Sequence, residues 1–349
     1  MGSLRRPIAL AAAAAVVVLV LAELAARAVA PDLPPTDRWG DEARAVKAAQ
    51  LDALAASGCV DVVVAGDSMA RDGLVPATIT AADPRARSVY NASLDAAGPE
   101  LVRRWLLDVV VPRVHPATVV LAVSSIDLNE RGPAVTAALA TYRSAPATRQ
   151  DLLGRLDRWV GDRSALVANR AGLRDPGAVL DAVGRDDGPD EGVATDADGR
   201  PVLPGVIGAD GEGLSRRDLT YAGPGPATTF TRTQLLADYH PGEDPAGRVA
   251  DAVAALQSAG IEVVLVVLPV TADFADLHPE GSADLAAARA AVAEAATRTG
   301  APLVDLGDER WPDDRFADTH HLNASGAAHL SEALPGLARA AGAELGACR

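Results

Sequence analysis

Short valine-rich runs that alternate with helical stretches constrain the fold of this chain more than any other feature. The runs lie at residues 60–65, 88–91, 118–123, 261–268 and 302–306. Most are continuous and bounded by turn residues, which is typical of strands buried on both faces of a parallel sheet. Helical patterns lie between them, at residues 99–111, 245–259, 282–299 and 324–341. The alternation predicts an α/β fold with a three-layer, doubly wound parallel sheet.

The alternation stops between about residues 133 and 244. The first half of this stretch has helical spacing, whereas residues 186–225 are rich in glycine, aspartate and proline. We interpret residues 133–244 as a helical and irregular insertion in a domain that spans residues 59–349. Because the insertion leaves the third strand at the end where doubly wound folds bind ligands, it is either a lid or a surface decoration.

An apolar segment at the N-terminus predicts the compartment. Residues 8–22 are apolar without interruption and follow Arg5 and Arg6. A helix continued to Ala30 is about 34 Å long, which exceeds the ~30 Å hydrocarbon core of a bilayer. The alternative is a signal peptide cleaved after residue 30, which the following Pro31 disfavours. We expect residues 1–30 to anchor the chain in the lipid bilayer, residues 31–58 to form a linker and lead-in helix, and the remainder to lie outside the cytoplasm.

Composition excludes several classes of function. Acidic residues outnumber basic ones 47 to 32, for a net charge of −15, and a surface this acidic is poorly suited to nucleic acid. Aromatic residues make up 3% of the chain, which leaves few side chains on which bases could stack. Lys47 is the only lysine, which indicates a GC-rich bacterial genome. The histidines outside one adjacent pair are scattered, so we expect neither a metal nor another cofactor.

The chain has two cysteines, Cys59 and Cys348. Two cysteines are too few for a zinc cluster, but an oxidising compartment would permit a disulfide between them. Such a bridge would tie the C-terminus to the start of the first predicted strand. The alternative is a pair of free thiols.

The sequence Gly66-Asp67-Ser68 directly follows the first predicted strand. A serine at a tight turn from strand to helix exposes its hydroxyl and directs its own backbone N–H outward, which suits a nucleophile. The alternative is a turn in which Ser68 only caps the helix.

A second polar segment, FADTHHLNASG, precedes the last predicted helix and places Asp318 three residues before His321. A carboxylate and an imidazole at this spacing can share a hydrogen bond that fixes the tautomer, so that the other ring nitrogen faces a nucleophile. His320 is the neighbouring alternative, which spacing does not exclude. The segment would otherwise be a helix cap with a surface histidine.

Together these two segments resemble the SGNH/GDSL family of serine esterases and acyltransferases. In that family the serine lies in a Gly-Asp-Ser block after the first strand and an Asp-x-x-His block lies near the C-terminus. Here Leu322-Asn323 continues the second block. The resemblance implies a flavodoxin-like three-layer fold, and it implies Ser68 as nucleophile, His321 as general base and Asp318 as the residue that orients it.

Two middle blocks of the family supply the oxyanion hole together with the serine N–H, and both differ here. The segment after the second strand runs from Asn91 to Gly98, and the segment 124–129 has Ile126 where the family has asparagine. We therefore expect a backbone donor at Ala96 or Gly98. Either Ser125 or Asn129 substitutes for the asparagine, or the chemistry is slow, or the acceptor is specialised. The candidate oxyanion and substrate-binding residues are Asp67, Asn91, Ala96, Gly98, Ser125, Asp127 and Asn129.

The anchor and the altered middle blocks are similar to a membrane-anchored branch of the family, which includes the alginate O-acetylation proteins and the D component of teichoic-acid D-alanylation. The resemblance implies an extracytoplasmic serine esterase or O-acyltransferase that acts on an acylated carbohydrate or a small ester, beside a membrane-bound O-acyltransferase. The alternative is a catalytically inert SGNH-like subunit that binds glycan or acts as a scaffold, which Ile126 favours.

Overall fold

The computed structural model describes residues 5–30, 36–83, 85–161, 163–170, 172–174, 176–177, 179–180 and 194–348. The chain forms two compact units, one made of Met1–Ala45 with Tyr142–Ala194 and the other of Val46–Thr141 with Thr195–Arg349. The expected insertion at residues 133–244 is therefore divided between the two units. Its middle part folds with the N-terminal segment, and the part from Thr195 onward folds with the sheet.

The strands are β1 Val62–Ala65, β2 Val89–Asn91, β3 Thr118–Ala122, β4 Glu262–Val267 and β5 Leu303–Asp305. The helices in chain order are α1 Arg5–Val29, α2 Thr36–Trp39, α3 Glu42–Ser57, α4 Ser68–Gly73, α5 Pro76–Ala82, α6 Pro99–Trp105, α7 Val111–Val114, α8 Ser125–Leu128, α9 Pro133–Ser144, α10 Leu152–Gly161, α11 Ala165–Ala168, α12 Pro226–Phe230, α13 Pro245–Ser258, α14 Ala272–Ala275, α15 Ser282–Thr299 and α16 Ala324–Ala340.

All five strands pair in parallel, in the order β2-β1-β3-β4-β5. In the register of the sheet, Val64 of β1 lies beside Asn91 on one side and Val120 on the other. The valines of β1 and β3 are fully buried, as expected for strands covered on both faces. The prediction of an α/β fold with a parallel sheet is confirmed.

Helices cover both faces of the sheet. On one face, alternate strand residues such as Val64 and Val264 form the main core with side chains of α4, α5 and α16. On the other face, α13 packs against α6, α15 and β4. Strand order reverses between the neighbouring strands β1 and β3, so the chain leaves the carboxyl end of β1 toward β2 and that of β3 toward β4, on opposite sides. This is the place where sheets of this kind hold a ligand.

The helix predicted at residues 99–111 extends further than expected. It continues from α6 through a π-helical turn, Leu106–Val110, into α7. The wider turn directly precedes the turn that contains Pro112, which has no N–H to donate to an α-helical bond. The helical path thus ends at Val114 instead of residue 111.

The apolar N-terminal segment is the helix α1. Near its C-terminal end, Glu23 accepts hydrogen bonds from the Ser164 hydroxyl at 2.7 Å and from the Ala165 N–H at 2.9 Å. A carboxylate at the N-terminus of α11 is favourably placed, because the first N–H groups of a helix lack partners. Among the helices of the described residues, none is both long enough and apolar enough to cross a membrane.

A disulfide joins Cys59 to Cys348 across 289 residues, with 6.1 Å between their Cα atoms. The Cys348 N–H also donates to Asp61 Oδ1 at 2.7 Å. The C-terminal segment is therefore fixed at the amino end of β1, on the side of the sheet opposite to the ligand edge.

Candidate active site

Ser68 lies at the turn between β1 and α4, as the first residue of the helix. Gly66 makes the tight turn possible, since its φ is 151° and a Cβ there would lie 2.8 Å from the Ala122 carbonyl oxygen. Asp67 caps the helix by accepting a hydrogen bond from the Met69 N–H at 2.9 Å. The turn leaves Ser68 partly exposed while its neighbours are buried, which suits a nucleophile.

His321 lies between Ser68 and Asp318. Its Nε2 atom is 2.8 Å from Ser68 Oγ, and its Nδ1 atom is 2.7 Å from Asp318 Oδ2. Because a carboxylate only accepts hydrogen bonds, Nδ1 carries the proton and Nε2 presents its lone pair to the hydroxyl. This is the tautomer that a general base for Ser68 requires.

Asp318 is held on both oxygens. Oδ1 accepts the backbone N–H groups of His320 at 3.0 Å and His321 at 2.9 Å, and Oδ2 faces the imidazole. Burial alone would raise the pKa of Asp318, but the neighbouring His320 and His321 and these hydrogen bonds hold that pKa well below its ordinary value. The carboxylate is therefore ionised throughout the neutral range.

The structure places His321, and not its neighbour His320, at the serine. Nδ1 of His320 lies 3.1 Å from the Thr319 hydroxyl, and its Nε2 atom is buried with no hydrogen-bond partner among the described residues. Burial, followed by the electrostatic interaction with His321, lowers the pKa of His320 to about 3. His320 is thus a neutral ring that packs 4.0 Å from His321, measured between ring centroids.

Asp318, His320 and His321 are also the group of described residues whose ligand atoms come close enough to hold a metal ion, within 4.8 Å of one another. Both ring nitrogens of His321 already face other partners. The guanidinium of Arg216 also lies 3.6 Å from Asp318 Oδ2, where it would repel a second cation. The donor set therefore suits proton transfer better than metal binding.

The two middle segments meet the serine turn at the same edge of the sheet. The Leu94 N–H donates to the Gly66 carbonyl at 3.0 Å, and the Ser124 hydroxyl donates to Asp67 Oδ2 at 3.2 Å. Gly98 lies against the loop after β3, where a Cβ would come within 2.9 Å of the Asp127 carbonyl oxygen. All four polar segments identified in the sequence thus converge.

Asp127 has a structural role beside Ser68. Its Oδ2 atom accepts the Ser124 N–H at 2.7 Å, which closes a capping box on α8. Burial raises the pKa of Asp127 well above its ordinary value, and the adjacent Asp67 carboxylate raises it further. The pKa of Asp67 is raised as well, chiefly by burial. Burial thus favours the protonated form of Asp127, which holds the loop, while Asp67 caps α4.

The expectation that Asn129 donates to an oxyanion is corrected by its hydrogen bonds. Its Nδ2 atom donates to the carbonyls of Leu235 at 2.8 Å and Ala237 at 3.2 Å. Its Oδ1 atom accepts the N–H groups of His240 and Arg131. The buried amide is fully engaged in holding the chain segment 235–240, which leaves no donor for a substrate.

The expectation that Asn91 binds the oxyanion or the substrate is corrected for the same reason. Its Nδ2 atom donates to the carbonyls of Leu74 at 2.8 Å and Ala70 at 3.0 Å, and its Oδ1 atom accepts the Ser93 N–H at 3.1 Å. These bonds attach the end of β2 to the last turn of α4. Asn91 therefore supports the serine-bearing helix from behind and does not face the ligand edge.

Ser125 is not a free donor either. Its hydroxyl lies 2.9 Å from Nε2 of His278, whose Nδ1 lies 3.2 Å from the Phe274 carbonyl oxygen. A carbonyl only accepts, so the proton of this ring is on Nδ1 and the Ser125 proton points to Nε2. Burial lowers the pKa of His278, which keeps the ring neutral. Ile126, where the sequence resemblance leads us to expect an asparagine, is buried in a small apolar core.

Backbone N–H groups are the hydrogen-bond donors that remain beside Ser68. Ser68 is the first residue of α4, where N–H groups have no partner inside the helix, and no other partner for it is found among the described residues. The same holds, within those residues, for the N–H groups of Ala96 and Gly98. Ala96 has a φ of 50°, a left-handed conformation that reverses the chain beside the loop that contains Asp127.

Three charged residues of the site were missed by sequence reasoning. Asp72 is buried and accepts from Arg71 Nε at 2.8 Å and from Arg216 Nη1 at 2.6 Å. Burial alone would raise the pKa of Asp72, but Arg71, His321 and Arg216 hold that pKa below its ordinary value. Arg71 and Asp72 follow Ser68 within α4, so their proximity could have been noticed, but no local signal identifies Arg216.

The sequence matches no protein-family model and no curated protein.

Proposed function

We propose that this protein is a serine esterase or O-acyltransferase of the SGNH/GDSL type. The observation that carries the proposal is the line of atoms from Ser68 Oγ to His321 Nε2, at 2.8 Å, and from His321 Nδ1 to Asp318 Oδ2, at 2.7 Å. A hydroxyl, a neutral imidazole and an ionised carboxylate in this order form the nucleophile, base and orienting group of acyl transfer.

In the proposed reaction His321 Nε2 takes the proton of Ser68 as Oγ attacks the acyl carbonyl carbon. The carbonyl oxygen becomes an oxyanion, and the protonated imidazole then gives its proton to the departing alcohol as the ester bond breaks. The resulting acyl-enzyme is resolved by water in an esterase, or by a sugar hydroxyl in a transferase. Asp318 stays ionised throughout and stabilises the imidazolium.

The proposed oxyanion hole consists of backbone N–H groups. Ser68 supplies one, and the segment with Ala96 and Gly98 supplies another. Backbone donors suit the role because they are fixed before the reaction begins and need no reorganisation as charge develops. The altered residue at position 126 is then no obstacle to catalysis.

We infer that the substrate is an acyl ester of a cell-envelope carbohydrate outside the cytoplasm. The Cys59–Cys348 disulfide supports this location, since such bonds persist in oxidising compartments. An N-terminal anchor would keep the protein at the bilayer, where a membrane-bound O-acyltransferase is the proposed partner in acyl delivery.

A second candidate function is a catalytically inert domain that binds glycan or serves as a scaffold. One observation favours it: the side chains of Asn129 and Ser125, which were expected to replace the missing asparagine, are engaged elsewhere. Loss of one oxyanion donor typically costs about 3–4 kcal/mol of transition-state stabilisation. A domain without any such donor would bind esters without turning them over.

Turnover of p-nitrophenyl acetate by the purified full-length chain separates the two functions. The proposal predicts hydrolysis that is lost in Ser68→Ala and retained in Ser325→Ala, which alters an exposed serine that is likewise in the first turn of a helix. Equal turnover in wild type and Ser68→Ala would exclude catalysis by Ser68 and support the binding function instead. Addition of a glycan acceptor then distinguishes transfer from hydrolysis by the share of acyl groups that appears on the sugar.

A further inference from the structure

The segment at residues 195–221, here called the strap, lies along the edge of the sheet. The Asn91 N–H of the edge strand β2 donates to the Asp210 carbonyl at 2.9 Å, and Gln50 Nε2 donates to the Gly208 carbonyl at 2.8 Å. Further along, the Gly213 N–H donates to the Arg71 carbonyl at 2.8 Å. The strap thus follows the path from β2 to the helix α4, which begins at Ser68.

The end of the strap brings a charge to the catalytic carboxylate. Arg216 donates from Nη1 to Asp72 Oδ2 at 2.6 Å, and its Nε lies 3.6 Å from Asp318 Oδ2. The next residue fixes the backbone here, because the Ala324 N–H donates to the Arg217 carbonyl at 3.0 Å. Arg216 therefore connects α4 with the segment that contains Asp318.

The two oxygens of Asp318 are held differently. Oδ1 is fixed by the backbone N–H groups of His320 and His321. Oδ2, the oxygen closest to His321 Nδ1, has Arg216 as its other charged neighbour among the described residues. Because Oδ1 is already restrained, and also lies 3.0 Å from His321 Nδ1, a contact at Oδ2 further limits rotation of the carboxylate about its Cβ–Cγ bond and hence the direction in which the imidazole is held.

The charges behind the site alternate in sign. The exposed Asp95 pairs with the buried Arg71, which pairs with the buried Asp72, which pairs with Arg216. Because Asp72 neutralises Arg216, the arginine can contact Asp318 without strongly opposing the positive charge that develops on His321. A lone arginine at this place would hinder catalysis, whereas the paired one orients the carboxylate.

We propose that Arg216 is a positioning residue for the reaction at Ser68: it fixes the Asp318 carboxylate, so the triad is complete only while the strap is docked. This inference rests on the proposed function. It also assigns the part of the insertion that folds with the sheet a role in the active site in place of surface decoration.

The test compares steady-state hydrolysis of p-nitrophenyl acetate by the full-length wild type with that by Arg216→Gln and Arg216→Lys. Misorientation of a catalytic group by a fraction of an ångström predicts that kcat falls about tenfold in both variants, with KM within about twofold of wild type. Lysine keeps the charge but cannot reach both Asp72 and Asp318, so kcat falls in the lysine variant as well.

The matched control is Arg200→Gln, which removes a half-exposed strap arginine paired with Asp196 and Asp210, away from the site. This variant should keep the wild-type kcat. Wild-type kcat in both Arg216 variants, or an equal loss in Arg200→Gln, would overturn the inference while leaving the Ser68 triad in place. Wild-type turnover that does not depend on Ser68 would overturn the proposed function and this inference together.

Discussion

The Nε2 atom of His321 lies 2.8 Å from the Oγ atom of Ser68, although 253 residues separate the two in the chain. The parallel sheet explains the encounter. Ser68 follows the carboxyl end of β1, and His321 precedes α16, which packs against the serine-bearing helix α4. The sheet and its covering helices thus fix both partners.

Replacement of Asp318 by asparagine should lower kcat by about 10³–10⁴-fold, because the amide no longer selects the tautomer with its proton on Nδ1 nor stabilises the imidazolium. The measurement is kcat for p-nitrophenyl acetate at neutral pH. The exposed Asp314 provides the control, and Asp314→Asn should remain close to wild type. A loss of less than tenfold in Asp318→Asn would speak against the triad.

Replacement of Ser125 by alanine should change kcat by less than about threefold, because its proton is already donated to His278. The variant should instead lose about 1–3 kcal/mol of stability, because it leaves the buried Nε2 atom of His278 without its hydrogen-bond partner. Urea unfolding and steady-state kinetics measure the two effects. A 10²–10³-fold fall in kcat would show that Ser125 is an oxyanion donor after all.

Lys47 should make stability depend on pH. It is fully buried and donates to the carbonyls of Asn91 and Gly211, and burial lowers its pKa to about 7. Between pH 7 and its ordinary pKa of 10.5, the unfolded chain binds a proton that the folded chain does not, so the free energy of unfolding rises with pH. The neutral amine keeps two N–H groups for the two carbonyls.

The variant Lys47→Met removes this titration. The difference in unfolding free energy between wild type and variant should grow in favour of wild type by about 1.4 kcal/mol per pH unit above pH 7. Urea titrations at pH 7, 8 and 9 measure it. Parallel pH dependence in the two proteins would mean that Lys47 titrates normally.

Removal of the disulfide in Cys59→Ser/Cys348→Ser should destabilise the sheet unit by as much as about 5 kcal/mol, because a closed loop of this length greatly restricts the unfolded chain. The kcat of the folded variant should persist, since the bridge lies at the amino end of β1. Thermal unfolding with and without reductant provides the measurement. Identical melting of oxidised wild type and variant would exclude a stabilising bridge.

The valine runs predicted each strand to within two residues, because strands buried on both faces have nearly continuous apolar sequences. The helix at residues 99–111 was less accurate at its end, where the π-helical turn before Pro112 carries the chain to Val114. The local sequence pattern determines where a helix or strand lies. The exact end of a helix depends on which backbone hydrogen bonds its last residues can form.

The candidate triad was predictable because its residues lie in short blocks that a strand end or a helix start positions. The roles of Asn91 and Asn129 were not predictable, since a side-chain amide can donate hydrogen bonds either to a substrate or to backbone carbonyls of a distant loop. Arg216 was also missed, because an arginine in a polar segment is expected to be a solvent-exposed surface residue. Only the fold places it beside Asp72 and Asp318.

The central claim is that Ser68 is a nucleophile activated by His321. Incubation of the full-length chain with a fluorophosphonate, followed by digestion and peptide mass spectrometry, tests it most directly. We predict a single covalent adduct on the peptide with Ser68, absent from Ser68→Ala and formed far more slowly in His321→Ala. An unmodified Ser68, or equal labelling in His321→Ala, would contradict the claim.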